Sequence, residues 1–96
     1  MNARHLLISG IVQGVGYRRW AARTATERGL RGWVRNLFDD RVELWLEGPL
    51  QLLEEQLSDC WKGPRSAHVT KIEVREVQPV GATTFEVRPT AESPTS

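Results

Sequence analysis

The chain has one cysteine, Cys60, so it can form no internal disulfide and needs no oxidising compartment. Cys60 lies beside Trp61 in a helical pattern and reads as a buried, inert thiol rather than a nucleophile. Lysine is nearly absent: only Lys62 and Lys71 occur, and the rest of the 13 cations are arginine. Twelve acidic residues leave a formal net charge of +1, which speaks against a strongly basic nucleic-acid binder and an acidic tail protein. No apolar run is long enough to cross a bilayer. Leu6 to Val15 is broken by Ser9, Gly10 and Gln13 and followed by Arg18-Arg19, which also makes a poor secretory signal. His5 and His68 have no Cys or carboxylate cluster at ligand spacing, so neither a metal site nor a cofactor is expected. Two common phosphate motifs are missing as well. No Lys-Ser/Thr follows the last glycine of the Gly-rich stretch, as a Walker loop requires, and Gly14-x-Gly16 continues to Arg19 where a dinucleotide fingerprint needs glycine. What remains is 96 residues with no repeat or interdomain linker. They suit one cytoplasmic, monomeric domain with a modest core and no nucleic-acid or membrane partner.

The distinctive stretch is Gly10-Ile11-Val12-Gln13-Gly14-Val15-Gly16-Tyr17-Arg18. Leu6-Leu7-Ile8 before it is strand-like, and Tyr17 to Arg28 after it is helix-like. Strand, tight loop and helix N-terminus in that order make an anion site. The first turn of a helix leaves backbone N–H groups unpartnered, and its dipole adds positive potential there. Gly14 and Gly16 admit positive φ and close backbone approach. Arg18 adds a fork-shaped cation that can grip two phosphate oxygens. On spacing alone, such a loop is equally often a plain turn and Arg18 a solvated surface arginine. Arg18 and Arg19 project about 100° apart on a helix, so they are not expected to hold one ligand.

Taken in order, His5 to Ser9 predicts a central first strand. A helix follows from about Gly16 to Arg28, with Trp20, Ala21 and Ala25 facing the core and Gly29 ending it. Gly32 to Leu37 and Arg41 to Glu47 form a hairpin around Asp39-Asp40. In its second strand Val42, Leu44 and Leu46 alternate with Glu43, Trp45 and Glu47. A second helix opens with Pro49 near its first position, buries Leu50, Leu53, Leu57, Cys60 and Trp61, and ends at Gly63-Pro64. Val69 to Val77 and Phe85 to Val87 complete the strands, and Thr90 to Ser96 predicts a frayed tail. The domain is thus expected over 1–90, with a tail over 91–96. The order βαββαβ plus a short strand predicts an α+β, ferredoxin-like sandwich: an antiparallel sheet with two helices on one face.

With this order in place, the chain resembles the acylphosphatase family over nearly all of residues 4 to 88. Gly10 to Arg18 is similar to that family's G-x-V-Q-G-V-x-F-R signature, with Tyr17 for the usual Phe. Gly32-Trp33-Val34-Arg35-Asn36 is similar to its G-W-V-x-N signature, and Glu47-Gly48-Pro49 and Gly63-Pro64-Arg65-Ser66-Ala67 fit recurring stretches. The resemblance implies metal-free hydrolysis of a small acylphosphate to a carboxylate and inorganic phosphate. It implies that Arg18 binds phosphate and Asn36 orients the attacking water. It assigns the phosphate loop to Gln13, Gly14, Val15, Gly16, Tyr17 and Arg18, through backbone N–H groups. So few groups suffice chemically, because a carboxylate leaving group, with a conjugate-acid pKa of ~4, departs without a general acid. Two positions depart from the pattern: Asp40 stands where the turn usually has Gly, and the Tyr17 hydroxyl needs a partner if buried.

Other readings have their own support. From pattern alone Asn36 would cap a strand before the turn, Glu54-Glu55 a solvated helix face. A βαββαβ sandwich with Trp33 or Trp45 on its open face would also suit an RNA-recognition module, and Arg31-Gly32-Trp33-Val34 faintly matches one. That stretch lies in the wrong strand for such modules and lacks their aromatic continuation. A non-catalytic phosphate- or RNA-binding module is the remaining alternative.

Overall fold

The computed structural model describes residues 1–94. Seven elements run in the order β1 (Asn2–Ile11), α1 (Tyr17–Glu27), β2 (Arg31–Asn36), β3 (Val42–Gly48), α2 (Leu50–Cys60), β4 (His68–Val77) and β5 (Phe85–Val87). They build one five-stranded sheet in the order β4-β1-β3-β2-β5. Helix α1 packs against β2 and β5, and α2 against β1 and β3. None of the helices in this span is long and apolar enough to cross a membrane.

Period-2 patterning sets the core. Leu6 and Ile8 of β1, Val34 of β2 and Val42, Leu44 and Leu46 of β3 are all fully buried. Tyr17, Ala21 and Ala25 close over them from α1. Trp20 is half-buried, tilted against the Tyr17 ring with centroids 5.3 Å apart. The small Ala21 and Ala25 let the α1 backbone approach the sheet, which leaves the broad indole at the margin.

Two expectations are corrected. The sheet is mixed: β5 pairs parallel with β2, Gly32 to Phe85 and Val34 to Val87, while the other pairings are antiparallel. Helix α2 buries Leu53, Gln56 and Cys60 rather than the wider apolar stripe, and Leu50 and Trp61 are about half exposed. Gln56 tolerates burial because its amide donates to Thr24 Oγ1 at 2.8 Å and its carbonyl accepts from Arg28 Nη1 at 2.6 Å. The segment from Thr90, expected as a frayed tail, makes these contacts where it is described. Phe38 N–H donates to Ala91 O, Ala91 N–H to Asn36 O, and Ser93 Oγ to the Asp39 carboxylate. This strap continues along β2 past the end of β5. Residues 95 and 96 of the expected tail lie outside the described residues.

The sheet face away from the helices is less open than its alternation suggests. Glu43 and Glu47 are buried there. Glu43 accepts from Arg35 Nε at 2.7 Å and lies 2.6 Å from His5 Nε2. Glu47 accepts from the Trp45 indole and from the N–H groups of Val80, Gly81 and Ala82, in the loop between β4 and β5. Burial opposes the charge on Glu47, but these donors outweigh it and hold the carboxyl below its ordinary range.

Candidate active site

Strand β1 does not run straight into the Gly-rich loop. Its pairing with β4 slips between Ser9 and Gly10, and Gly10 has φ 126°. A Cβ there would sit 2.1 Å from His68 O, so only glycine fits this bulge. The chain then turns through Gly14 (φ 74°) to Gly16 (φ 83°), the left-handed N-cap of α1. Open space surrounds both positions, so the demand for glycine is conformational. The first α1 bond runs from Trp20 N–H to Gly16 O at 3.0 Å. The N–H groups of Gly14 through Arg18 donate to no acceptor among the described residues. They remain available to an anion.

This loop borders an open cavity of about 610 Å³, lined by Val12, Gly14, Gly16, Tyr17, Arg18, Arg19, Ala22, Asn36 and Val87. Fold topology explains the company. Parallel pairing with β2 puts Val87, at the end of β5, at the same sheet end as Asn36. The N-terminus of α1 faces that end. Arg18 is half-buried, and among the described residues no carboxylate pairs with it. The side-chain Oδ1 of Asn36 is buried and accepts no hydrogen bond among the described residues. An unsatisfied buried acceptor costs free energy unless something outside the chain donates to it.

Not every residue of the signature faces the cavity. The Gln13 amide instead donates to Leu37 O and Arg41 O, both at 2.8 Å. It ties the loop to the turn that follows Asn36. Val15 packs on the core. Tyr17 borders the cavity from the core, and its buried hydroxyl donates to Cys60 O at 2.6 Å. That bond answers the partner requirement raised by the sequence, and burial pushes the phenol above its ordinary range. Asp40 takes the left-handed conformation that glycine usually fills, with φ 75°. Asp39 steadies the turn. Hydrogen bonds from Arg41 and Ser93 hold its carboxyl down at about 2.

Val12, part of the signature but given no role there, also lines the cavity, as do Arg19, Ala22 and Val87, which no motif singled out. Arg18 and Arg19, not expected to hold one ligand, both border the same open space. No group of three or more His, Cys, Asp and Glu converges as metal ligands among the described residues. Among the described residues the tryptophans of the open sheet face are already covered. Trp33 and Trp45 stack on each other, 6.2 Å apart at 12°, and Arg35 and Arg88 lie over Trp33 at 4.6 and 4.8 Å.

Comparison with known proteins shows the family. The family model Acylphosphatase matches residues 4–87. An acylphosphatase of Alcanivorax borkumensis is 51% identical over 76 residues, covering 79% of this chain and 83% of that one. An acylphosphatase of Methylococcus capsulatus is 51% identical over 81 residues, covering 84% and 88%. The crystal structure of acylphosphatase from Bacillus subtilis superposes with a TM-score of 0.90 at 35% identity, covering 92% of this chain and 99% of that one. Fold, loop and relatives together show that this chain belongs to the acylphosphatase family, enzymes that hydrolyse acylphosphates.

Proposed function

We propose that this acylphosphatase holds the phosphoryl group of its substrate between Arg18 and the free N–H groups of residues 14–18, and that Asn36 directs the attacking water, without a metal. The observation that carries this reading is the buried, unpartnered Asn36 Oδ1 on the same cavity as Arg18. A carboxamide oxygen accepts a hydrogen bond from water and fixes its direction, but it is no strong base. None is needed to start the reaction. The water oxygen attacks phosphorus in line, the bond from phosphorus to the acyl oxygen breaks, and its electron pair leaves on a carboxylate. The bound phosphate helps take up the water's proton. Charge on the phosphoryl oxygens is met by the guanidinium and the backbone donors, fixed in place before reaction. Among the described residues no carboxylate, imidazole or thiol lines the cavity, so its donor set suits an anion rather than a divalent cation. The substrate is a small acylphosphate, and we place the enzyme in the cytoplasm as a monomer.

Hydrolysis of acetyl phosphate in EDTA tests this assignment. Arg18→Ala lowers kcat/KM by at least ~10²–10³, the loss found on removing one transition-state donor. Asn36→Ala lowers kcat while phosphate inhibition changes little, because its contact to water matters chiefly in the transition state. Near-normal turnover by Arg18→Ala, or activity that needs Mg²⁺, overturns the reading.

A further inference from the structure

Arg19 has no part in that machinery, yet it sits on the same cavity. It is exposed, and among the described residues no carboxylate pairs with it. Its setting is electrostatically unfavourable in the free chain. Arg19 lies in the first turn of α1, whose N-terminal dipole end repels cations, directly after a second unpaired arginine. The first turn contains no acidic residue. Arg4, Arg28, Arg35, Arg41 and Arg88 each have a carboxylate partner, while Arg23, Arg31, Arg65 and Arg75 share with Arg19 the lack of one among the described residues, but none of those four borders the cavity. One phosphoryl group seated on Arg18 and the loop leaves the second cation on the cavity, Arg19, without a counter-charge of its own. Arg19 borders the same open space and is exposed to solvent.

We infer that Arg19 is a specificity-determining residue that selects acylphosphates whose acyl group carries a second anion, such as a distal carboxylate. The inference rests on the phosphoryl-binding role proposed for Arg18. With the phosphoryl group held there, the acyl chain projects outward to the mouth, where a terminal carboxylate meets the guanidinium fork. A neutral acyl group leaves Arg19 without a counter-charge. Because the contact is exposed, it is modest in size and weakened by salt.

The test compares succinyl phosphate, with its free carboxylate, against acetyl phosphate at low ionic strength. Wild type, Arg19→Ala, Arg19→Lys and Arg23→Ala are assayed side by side. Arg23 removes the same charge one turn along α1 but does not line the cavity. Arg19→Ala lowers the ratio of kcat/KM for succinyl over acetyl phosphate roughly threefold to fivefold, the size of an exposed ion pair. The change falls mainly in KM. Arg19→Lys restores part of the ratio, and added salt lowers it in wild type but not in Arg19→Ala. An unchanged ratio in Arg19→Ala overturns the inference, as does an equal fall in Arg23→Ala, which would mean only long-range attraction. Failure of the underlying reading looks different: acetyl phosphate hydrolysis would then survive Arg18→Ala.

Discussion

Tyr17 and Cys60 share one buried contact, and each leaves a measurable mark. The Tyr17 hydroxyl satisfies the Cys60 carbonyl near the end of α2 and so ties α1 to α2. Tyr17→Phe keeps the ring packing but leaves that carbonyl unpaired. The expected loss is about 0.5–1.5 kcal/mol of unfolding free energy, read from urea denaturation at unchanged m-value. Burial pushes the Cys60 thiol up to about 12. At pH 8 it should therefore resist iodoacetamide until the chain is unfolded by denaturant. Labelling of the native protein at the unfolded rate would show that the site opens.

At the scale of elements, the C-terminal strap is the feature with a functional consequence. Asn36 ends β2, and a strand end has neighbours on few sides. Here β3 pairs one edge, Val42 opposite Asn36, and the strap takes the other edge through Ala91. The Gln13 amide pins the following turn from a third direction. Asn36 is thus held at its backbone from both sides while its side-chain oxygen stays free. Deleting residues 91–96 removes two backbone hydrogen bonds and the Ser93 contact to Asp39. The expected stability loss is about 1–3 kcal/mol. If Asn36 directs water, kcat falls on the order of tenfold or more, since small misplacements of a positioning group are costly. Phosphate inhibition, which depends on the loop and Arg18, should change little. Equal loss of kcat and phosphate affinity would mean that the strap supports the whole site rather than Asn36.

For the molecule as a whole, pH dependence follows from its depressed carboxylates. Asp39, Glu47 and Glu54 are each held below their ordinary range in the folded chain. The unfolded chain therefore binds more protons as pH falls. Their stabilising effect is fully present above the unfolded value of about 4 and is lost progressively as pH drops toward 2. Glu47 is the buried member, and its loop donors cover the outer face of β3 and β2. Glu47→Ala should cost about 1–3 kcal/mol at pH 7 by leaving those donors unpaired. The gap to wild type should narrow in melts taken from pH 5 down to pH 3. A gap independent of pH would mean that packing, not charge, sets the cost.

The sequence alone determined the element order, the Gly-rich turn into α1 and the pairing of Arg18 with Asn36 as a candidate site. Those signals are local: glycine spacing, period-2 and period-3.6 apolar patterns, and two short signatures. It also flagged Tyr17 and Asp40 as positions needing an answer, though not what the answer was. Only the tertiary structure decided the rest, because the deciding partners are far apart in sequence. The parallel placement of β5 brings Val87 beside Asn36, 51 residues away along the chain. The strap reaches Asn36 from Ala91, and Glu47 is buried by a loop more than thirty residues on. Gln56 and Glu43 sit in the interior against the expectation from polarity, since hydrogen-bonding partners from other elements meet them there. Polarity and periodicity report how one residue prefers water. They do not report which distant donor will be waiting when that residue is buried.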